Sequence, residues 1–284
     1  MGSWRHSAAD RNFYEGAKIA EKMSTQPSKN VKELFDLSGR VAVITGGSIG
    51  LGRQMAEGLA EMGANLALSA RKKERCEETA HHVEKLGVRA RAYACDVKDP
   101  ASVQQMINGV MAQFGRIDIL INNAGISWGA PVEDMKLPDW QKVLDTNLTG
   151  TFLCSQAAGK IMIAQKRGKI INVASVAGLR GAPPEHVMAT GYHASKGGVI
   201  SFTKDLAWKW AQHNIQVNAL APGWFPTHMS TWVIEHKKED LLPHIPLRRF
   251  GSDHDLKGAA VFLASAASDY VTGHVLVVDG GQTA

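Results

Sequence analysis

The chain has 284 residues, of which 44% are hydrophobic and 21% are charged, and its formal net charge is +5. This composition excludes a disordered chain, and the scattered Lys and Arg residues favour an anionic small molecule over nucleic acid as partner. The three cysteines, Cys76, Cys95 and Cys154, have neither metal-ligand nor redox spacing. With no apolar signal segment and no apolar run of membrane-spanning length, the sequence predicts a cytoplasmic protein without metal or membrane partner.

The first 38 residues differ from the rest of the chain. They are polar, and their pattern predicts one short amphipathic helix at 13–23. We interpret residues 1–38 as an N-terminal extension, which is either a surface arm or a segment that docks onto another surface.

Strand and helix patterns alternate from Gly39 onward. Apolar runs rich in β-branched residues predict strands at 41–45, 65–70, 90–97, 117–122, 169–174, 215–219 and 274–278. Helical spacing of apolar residues predicts helices at 53–62, 72–86, 103–114, 140–166, 192–213 and 253–266. Strands this apolar are buried on both faces, and the alternation implies parallel pairing. The prediction is an α/β fold, a single doubly wound parallel-sheet Rossmann domain over residues 39–284.

A glycine-rich turn follows the first predicted strand. Residues 45–52 read TGGSIGLG and lead into a helix. Glycines permit a tight turn and close approach of a pyrophosphate, and the helix N-terminus offers free N–H groups. The candidate cofactor-binding residues here are Gly46, Ser48, Ile49, Gly50, Leu51 and Gly52. The alternative is an ordinary glycine-rich turn.

The end of the second predicted strand bears on the choice of cofactor. Arg71 and two lysines follow it, and no carboxylate is present to hold a ribose 2′-hydroxyl. A guanidinium pairs with a phosphate through two hydrogen bonds. NADP(H) is therefore favoured and NAD(H) is the alternative, unless these cations only form the solvated start of a helix.

Tyr192 and Lys196 lie one helical turn apart at the start of a predicted helix. Their side chains can therefore converge, and an adjacent ammonium favours the phenolate, which suits Tyr192 to acid/base work. Ser175 ends the fifth predicted strand, at the edge where open α/β sheets bind ligands. Its hydroxyl can polarise a carbonyl oxygen.

These motifs resemble those of the short-chain dehydrogenases/reductases over residues 38–281. The matching segments appear in the family's order: the glycine turn, Asp96-Val97, Asn122-Asn123-Ala124-Gly125, Asn147, Ser175, Tyr192 with Lys196, and Pro222-Gly223 with Thr227. The resemblance implies an enzyme that transfers a hydride between a nicotinamide and a ketone or secondary alcohol.

The resemblance also implies a role for each matching catalytic residue. Tyr192 is the general acid/base, and Lys196 lowers its pKa and binds the nicotinamide ribose. Ser175 orients the substrate oxygen, and Asn147 positions a water in a proton relay. The intact set of four argues against the alternative of a non-catalytic dinucleotide sensor.

Further residues are implied to touch the cofactor. Asp96, followed by Val97, would meet the adenine, Asn123 would lie beside the cofactor, and Phe225 and Thr227 would bracket the nicotinamide carboxamide. One departure weakens the NADP(H) prediction, because Ile49 stands where NADP-preferring members often carry Arg or Lys.

Substrate and assembly rest on the same resemblance. Two branches match, the 3-oxoacyl-thioester reductases and, as the alternative, the gluconate or polyol dehydrogenases. Trp128 and Trp224 are the predicted substrate contacts, beside an enlarged loop at 181–186 and a lid around 223–247 that contains a short helix. A homotetramer is expected, with helices 147–166 and 192–213 pairing across one axis and the last strand across another.

Overall fold

The computed structural model describes residues 29–284, so the helix predicted at 13–23 lies outside the described residues. The contacts divide the chain between Leu34 and Phe35. In the first unit, Asn30 and Glu33 exchange hydrogen bonds as a capping box at the start of helix α1 (Val31–Phe35). The sheet and the other helices belong to the second unit.

Seven parallel strands form one sheet within the described residues. They are β1 (Val41–Thr45), β2 (Asn65–Ala70), β3 (Ala90–Ala94), β4 (Ile119–Asn122), β5 (Gly168–Val173), β6 (Ile215–Pro222) and β7 (Val275–Val278). Their order is β3-β2-β1-β4-β5-β6-β7. The predicted doubly wound α/β fold is confirmed.

Helices cover both faces of this sheet. They are α2 (Gly50–Glu61), α3 (Lys73–Glu84), α4 (Pro100–Phe114), α5 (Leu137–Leu144), α6 (Gly150–Gln165), α7 (Thr190–Trp210), α8 (Thr231–Leu241) and α9 (Lys257–Ala264). Strand β1 shows why two cores form, because Ala42 and Ile44 join one buried cluster and Val41 and Val43 join the other. None of the described helices is long and apolar enough to cross a membrane.

The structure corrects several predicted boundaries. The helix predicted at 140–166 is interrupted by a π-helical turn, Asp145–Thr149, between α5 and α6. Strand β3 ends at Ala94 and not at residue 97, whereas β6 continues to Pro222 because β7 pairs with it up to Val278. Helix α9 begins only at Lys257, four residues later than predicted.

The strand order changes direction between β1 and β4. From β1 the chain adds β2 and β3 on one side, and from β4 it adds β5, β6 and β7 on the other side. Loops that leave the carboxyl ends of such strands diverge there and open a crevice, which is where doubly wound sheets bind ligands. The glycine-rich turn follows β1, and the loop that contains Asn123 follows β4.

Candidate active site

The glycine-rich turn is held against the loop after β4 by one side chain. Asn123 Nδ2 donates to the carbonyl oxygens of Thr45 at 3.1 Å and Gly46 at 3.0 Å. Gly46 has a φ of 66°, and a Cβ there would lie 2.8 Å from Asn123 Nδ2. A Cβ on Gly52 would overlap the Gly46 carbonyl oxygen. The turn therefore requires glycine at both positions, and Asn123 acts by supporting it.

Helix α2 begins directly after this turn. Ile49 stands at its N-cap, is 43% exposed and makes no side-chain cap. The first N–H groups of α2 thus have no side-chain acceptor at the cap, as an anion-binding helix end requires. Thr227 comes from the segment after β6 and lies over the same end, since a Cβ on Gly50 would be 3.4 Å from the Thr227 Cβ.

The other predicted cofactor residues lie at the ends of β2, β3 and β6. Arg71 is exposed directly after β2, and Asp96, partly exposed, follows β3. Val97 is buried against Gly150. Phe225 is only 4% exposed, because its ring packs against Gly251, where a Cβ would overlap it. Thr227, and not the Phe225 ring, is therefore the residue of this segment that reaches the glycine-rich turn.

Lys196 projects from α7 into the interior. It is buried, its Nζ donates to the Val173 carbonyl oxygen at 2.5 Å, and Nζ lies 5.6 Å from the centre of the Tyr192 ring. Ser175 follows β5, and its Oγ accepts from Ala177 N at 3.2 Å. The short 3-10 turn that begins after Ser175 packs on the main chain of Lys196 through Gly178. This contact holds Ser175 beside the start of α7.

Burial decides the proton affinities of this pair. It raises the pKa of the Tyr192 phenol, and a polar interaction with the Ser175 hydroxyl opposes that rise. Burial also lowers the pKa of Lys196 to about 8. The direction for Tyr192 is opposite to the predicted lowering by Lys196, because the cost of desolvating the phenolate is the largest contribution.

Asn147 lies in the π-helical turn and is 1% exposed. Its amide exchanges two hydrogen bonds with the main chain of Ile126, and Nδ2 also donates to Ser195 Oγ at 3.0 Å. Gly125 lies between Asn147 and Lys196, because a Cβ on Gly125 would lie 3.3 Å from Asn147 Oδ1 and 3.7 Å from Lys196 Nζ. The fold thus brings all four predicted catalytic residues into one connected group.

The two predicted substrate tryptophans have different surroundings. Trp128 is 43% exposed, with Lys142 Nζ 5.6 Å from the ring centre. Trp224 lines a cleft with Arg180 and Gln282, two residues that the sequence analysis did not identify. The signal for Arg180 was its position five residues after Ser175, whereas nothing in the local pattern marked Gln282.

Known proteins resemble this chain over nearly its whole length. A family model described as enoyl-(acyl carrier protein) reductase matches residues 46–283. Gluconate 5-dehydrogenase of Gluconobacter oxydans is 40% identical over 253 residues, 88% of this chain and 97% of that protein. A 3-oxoacyl-[acyl-carrier-protein] reductase of Staphylococcus aureus is 42% identical over 242 residues, 85% of this chain and 97% of that protein.

A solved structure agrees with these relatives. The gluconate 5-dehydrogenase of Burkholderia cenocepacia, solved in complex with NADP and tartrate, superimposes with a TM-score of 0.85 at 39% identity. The match covers 89% of this chain and 99% of that one. The length of the matches and the group formed by Asn147, Ser175, Tyr192 and Lys196 lead to one conclusion: the chain is an oxidoreductase that belongs to the short-chain dehydrogenase/reductase family.

Proposed function

We propose that the protein transfers a hydride between NADP(H) and a ketone or secondary alcohol, with Tyr192 as the general acid/base. The observation that carries the proposal is the meeting of Tyr192, Lys196 and Ser175 at the carboxyl end of β5. A non-catalytic sensor would not need a buried ammonium beside a half-buried phenol, since burying the Lys196 charge costs free energy.

The residues around the glycine-rich turn suit a dinucleotide. The glycine-rich turn has no side chains at Gly46 and Gly52, which leaves room for a pyrophosphate at the start of α2. In this proposal Arg71 holds a 2′-phosphate, Asp96 the adenine and Lys196 the nicotinamide ribose. NADP in the Burkholderia structure supports the choice of NADP(H), and NAD(H) is the alternative. When bound, the nicotinamide supplies or accepts the hydride.

The chain's own residues handle the substrate oxygen and its proton. Ser175 Oγ hydrogen-bonds the carbonyl oxygen and orients it toward Tyr192. As the carbonyl carbon gains the hydride, the Tyr192 hydroxyl gives its proton to that oxygen, and the product is the secondary alcohol. The nearby Lys196 ammonium stabilises the resulting phenolate. In the reverse direction Tyr192 takes the proton.

Substrates of two kinds fit this chemistry. A 3-oxoacyl thioester is supported by the Staphylococcus relative, and gluconate or a polyol by the Gluconobacter relative. Helix α8 stands in the segment predicted to be a lid, and its Lys237 donates to the Glu185 carbonyl oxygen of the enlarged loop. This bridge supports a lid over the substrate between the two segments.

A homotetramer in the cytoplasm completes the proposal. Phe152 on α6 is 43% exposed and contacts Phe202 of α7 edge to face, and Trp208 on α7 is 88% exposed. Strand β7 lies at the edge of the sheet. Such surfaces suit pairing between copies of the chain. Light scattering at micromolar concentration tests the assembly, and a monomeric mass would contradict it.

The reaction is tested with Tyr192→Phe, which removes the hydroxyl that carries the transferable proton and keeps the ring. NADPH oxidation with a panel of 3-oxoacyl thioesters, keto-sugar acids and cyclic ketones should fall by at least about 1,000-fold, while NADPH affinity from fluorescence titration stays unchanged. Tyr270→Phe, at an exposed tyrosine, is the matched control and should behave as wild type. Turnover near the wild-type rate in Tyr192→Phe would remove this residue from the mechanism.

A further inference from the structure

The cleft beside Trp224 is built by the loops that leave three adjacent strands. Arg180 follows β5, Trp224 follows β6 and Gln282 follows β7, and the lid contributes Leu241 and His244. These strands are neighbours in the sheet, and Ser175 leaves the first of them. The cleft therefore opens on the same edge of the sheet as the catalytic group.

The polar side chains of this cleft are basic or neutral. Arg180, His186, His244 and Gln282 line it, and none of the described residues that line it is Asp or Glu. In the amide orientation that satisfies both donors, the Gln282 oxygen accepts from Arg180 Nη2 at 2.9 Å and Trp224 Nε1 at 3.3 Å. A guanidinium has five N–H groups, so this single contact orients Arg180 and leaves donors for an acidic ligand.

The rest of the cleft is lined by apolar side chains and by two imidazole rings that pack on each other. Leu241 is buried, and the rings of His186 and His244 pack edge to face with centres 5.1 Å apart. Lys237 of α8 donates to the Glu185 carbonyl oxygen, which joins the lid to the loop after β5 a second time. Arg180 itself is exposed at this cleft, so its guanidinium is accessible to a ligand.

The chain between Ser175 and Arg180 is compact. A 3-10 turn, Val176–Gly178, follows Ser175, and Arg180 N donates to the Val176 carbonyl oxygen at 3.3 Å. Because such a turn rises only about 2 Å per residue, it keeps Ser175 and Arg180 on one short loop. A short ligand that places its carbonyl at Ser175 would extend its other end toward the guanidinium.

We propose that Arg180, oriented by Gln282, binds the carboxylate of the substrate, so that the protein acts on a small oxo acid and its hydroxy acid. The inference rests on the proposed function and deepens it. A bidentate pair with Arg180 gives a carboxylate substrate both affinity and a fixed direction, which an uncharged ketone of the same length lacks.

The first experiment compares acids with uncharged partners of the same shape. NADPH oxidation is measured with 4-oxopentanoate, 5-oxohexanoate and 5-keto-D-gluconate, against the methyl esters of the first two and L-sorbose, the hydroxymethyl analogue, for the third. For at least one pair, kcat/KM of the acid should exceed that of the uncharged partner by about 100-fold. Acetoacetyl-CoA is the arm that tests recognition of phosphate in place of carboxylate.

The second experiment changes the proposed subsite. Arg180→Gln should lower kcat/KM for the preferred acid by about 100-fold, mainly through KM, and change the uncharged partner by less than about threefold. Arg180→Lys should recover part of the loss, and Gln282→Ala should show a smaller loss of the same kind. Lys238→Gln, which removes an exposed charge from α8 outside the cleft, is the matched control and should equal wild type.

Binding is measured separately, so that the two proposals can fail independently. In the presence of NADP⁺, 5-keto-D-gluconate should raise the Tm of wild type more than L-sorbose does, and Arg180→Gln should abolish the difference. Equal effects of Arg180→Gln on acids and uncharged partners, equal binding of both, or a loss confined to acetoacetyl-CoA would overturn the carboxylate subsite. If none of the ketones supports NADPH oxidation although the acid binds selectively, the proposed reaction is overturned and the carboxylate subsite is not.

Discussion

The side-chain amide of Asn147 and the main chain of Ile126 are joined by two hydrogen bonds. Ile126 N donates to Asn147 Oδ1 at 2.8 Å, and Asn147 Nδ2 donates to the Ile126 carbonyl oxygen at 2.9 Å. The same Nδ2 donates to Ser195 Oγ on α7. One buried amide thus ties the π-helical turn, the loop after β4 and the catalytic helix together, which makes Asn147 a positioning residue.

Replacing this amide should loosen the site. In Asn147→Asp an acceptor replaces Nδ2 opposite the Ile126 carbonyl oxygen, so we expect a loss of about 2–4 kcal/mol in the free energy of unfolding. The free energy of unfolding measured with urea and the kcat should both fall. Asn108→Asp, at an exposed position on α4, is the control. Equal stability of the two variants would show that the Ile126 contact contributes little.

Arg71 should decide between the two cofactors. Arg71→Ala should weaken NADPH by about 10–100-fold and NADH by less than about threefold, because the lost partner is the 2′-phosphate. Fluorescence titration with both cofactors measures this difference. Lys85→Ala, at the exposed far end of α3, removes a charge without facing the turn and serves as control. Equal weakening of both cofactors, or a wild-type preference for NADH, would contradict the proposed choice.

The buried Lys196 should lower the stability of the protein near neutral pH. Its pKa is lowered from 10.5 to about 8, so the unfolded chain binds more protons than the folded one between these values. Stability should therefore rise with pH across that window, and the cost of the charge, about 3 kcal/mol, is fully present below pH 8. The hydrogen bond to the Val173 carbonyl oxygen offsets about 1 kcal/mol.

Lys196→Met tests this sign. At pH 7 the variant should be inactive yet more stable than wild type by about 2 kcal/mol in urea unfolding, and the gain should shrink as pH approaches 10.5. Lys204→Met, at an exposed position on the same helix, should show no such pH dependence. A variant that is destabilised equally at pH 7 and pH 9.5 would contradict the burial argument.

The two tryptophans of the segment after β6 should behave differently. Trp224 lines the cleft, whereas Trp232 is 63% exposed and stacks on His236, with ring centres 4.6 Å apart. Trp224→Ala should change the relative kcat/KM among substrates by about 10-fold or more and leave NADPH affinity unchanged. Trp232→Ala is its control for substrate ranking. If Trp232→Ala dissociates the oligomer, that residue serves assembly and not the lid.

The sequence determined the fold and the centre of the site because both depend on local patterns. Alternating apolar runs and helical spacing specify parallel strands that are buried on both faces. The structure shows these strands in the order of a doubly wound sheet. The glycines around Gly46 and the spacing of Tyr192 and Lys196 are constraints of one turn and one helix face. Such constraints can be recognised from residues that are close together in the sequence.

Only the tertiary structure decided relationships between distant segments. The Phe225 ring turned into the core because Gly251, far along the chain, leaves space for it. Burial reversed the expected direction of the Tyr192 pKa, since the depth of a phenol depends on everything packed around it. Arg180 and Gln282 met because β5, β6 and β7 are neighbours in the sheet. Packing of this kind is set by the summed contacts of the whole domain, which no local pattern contains.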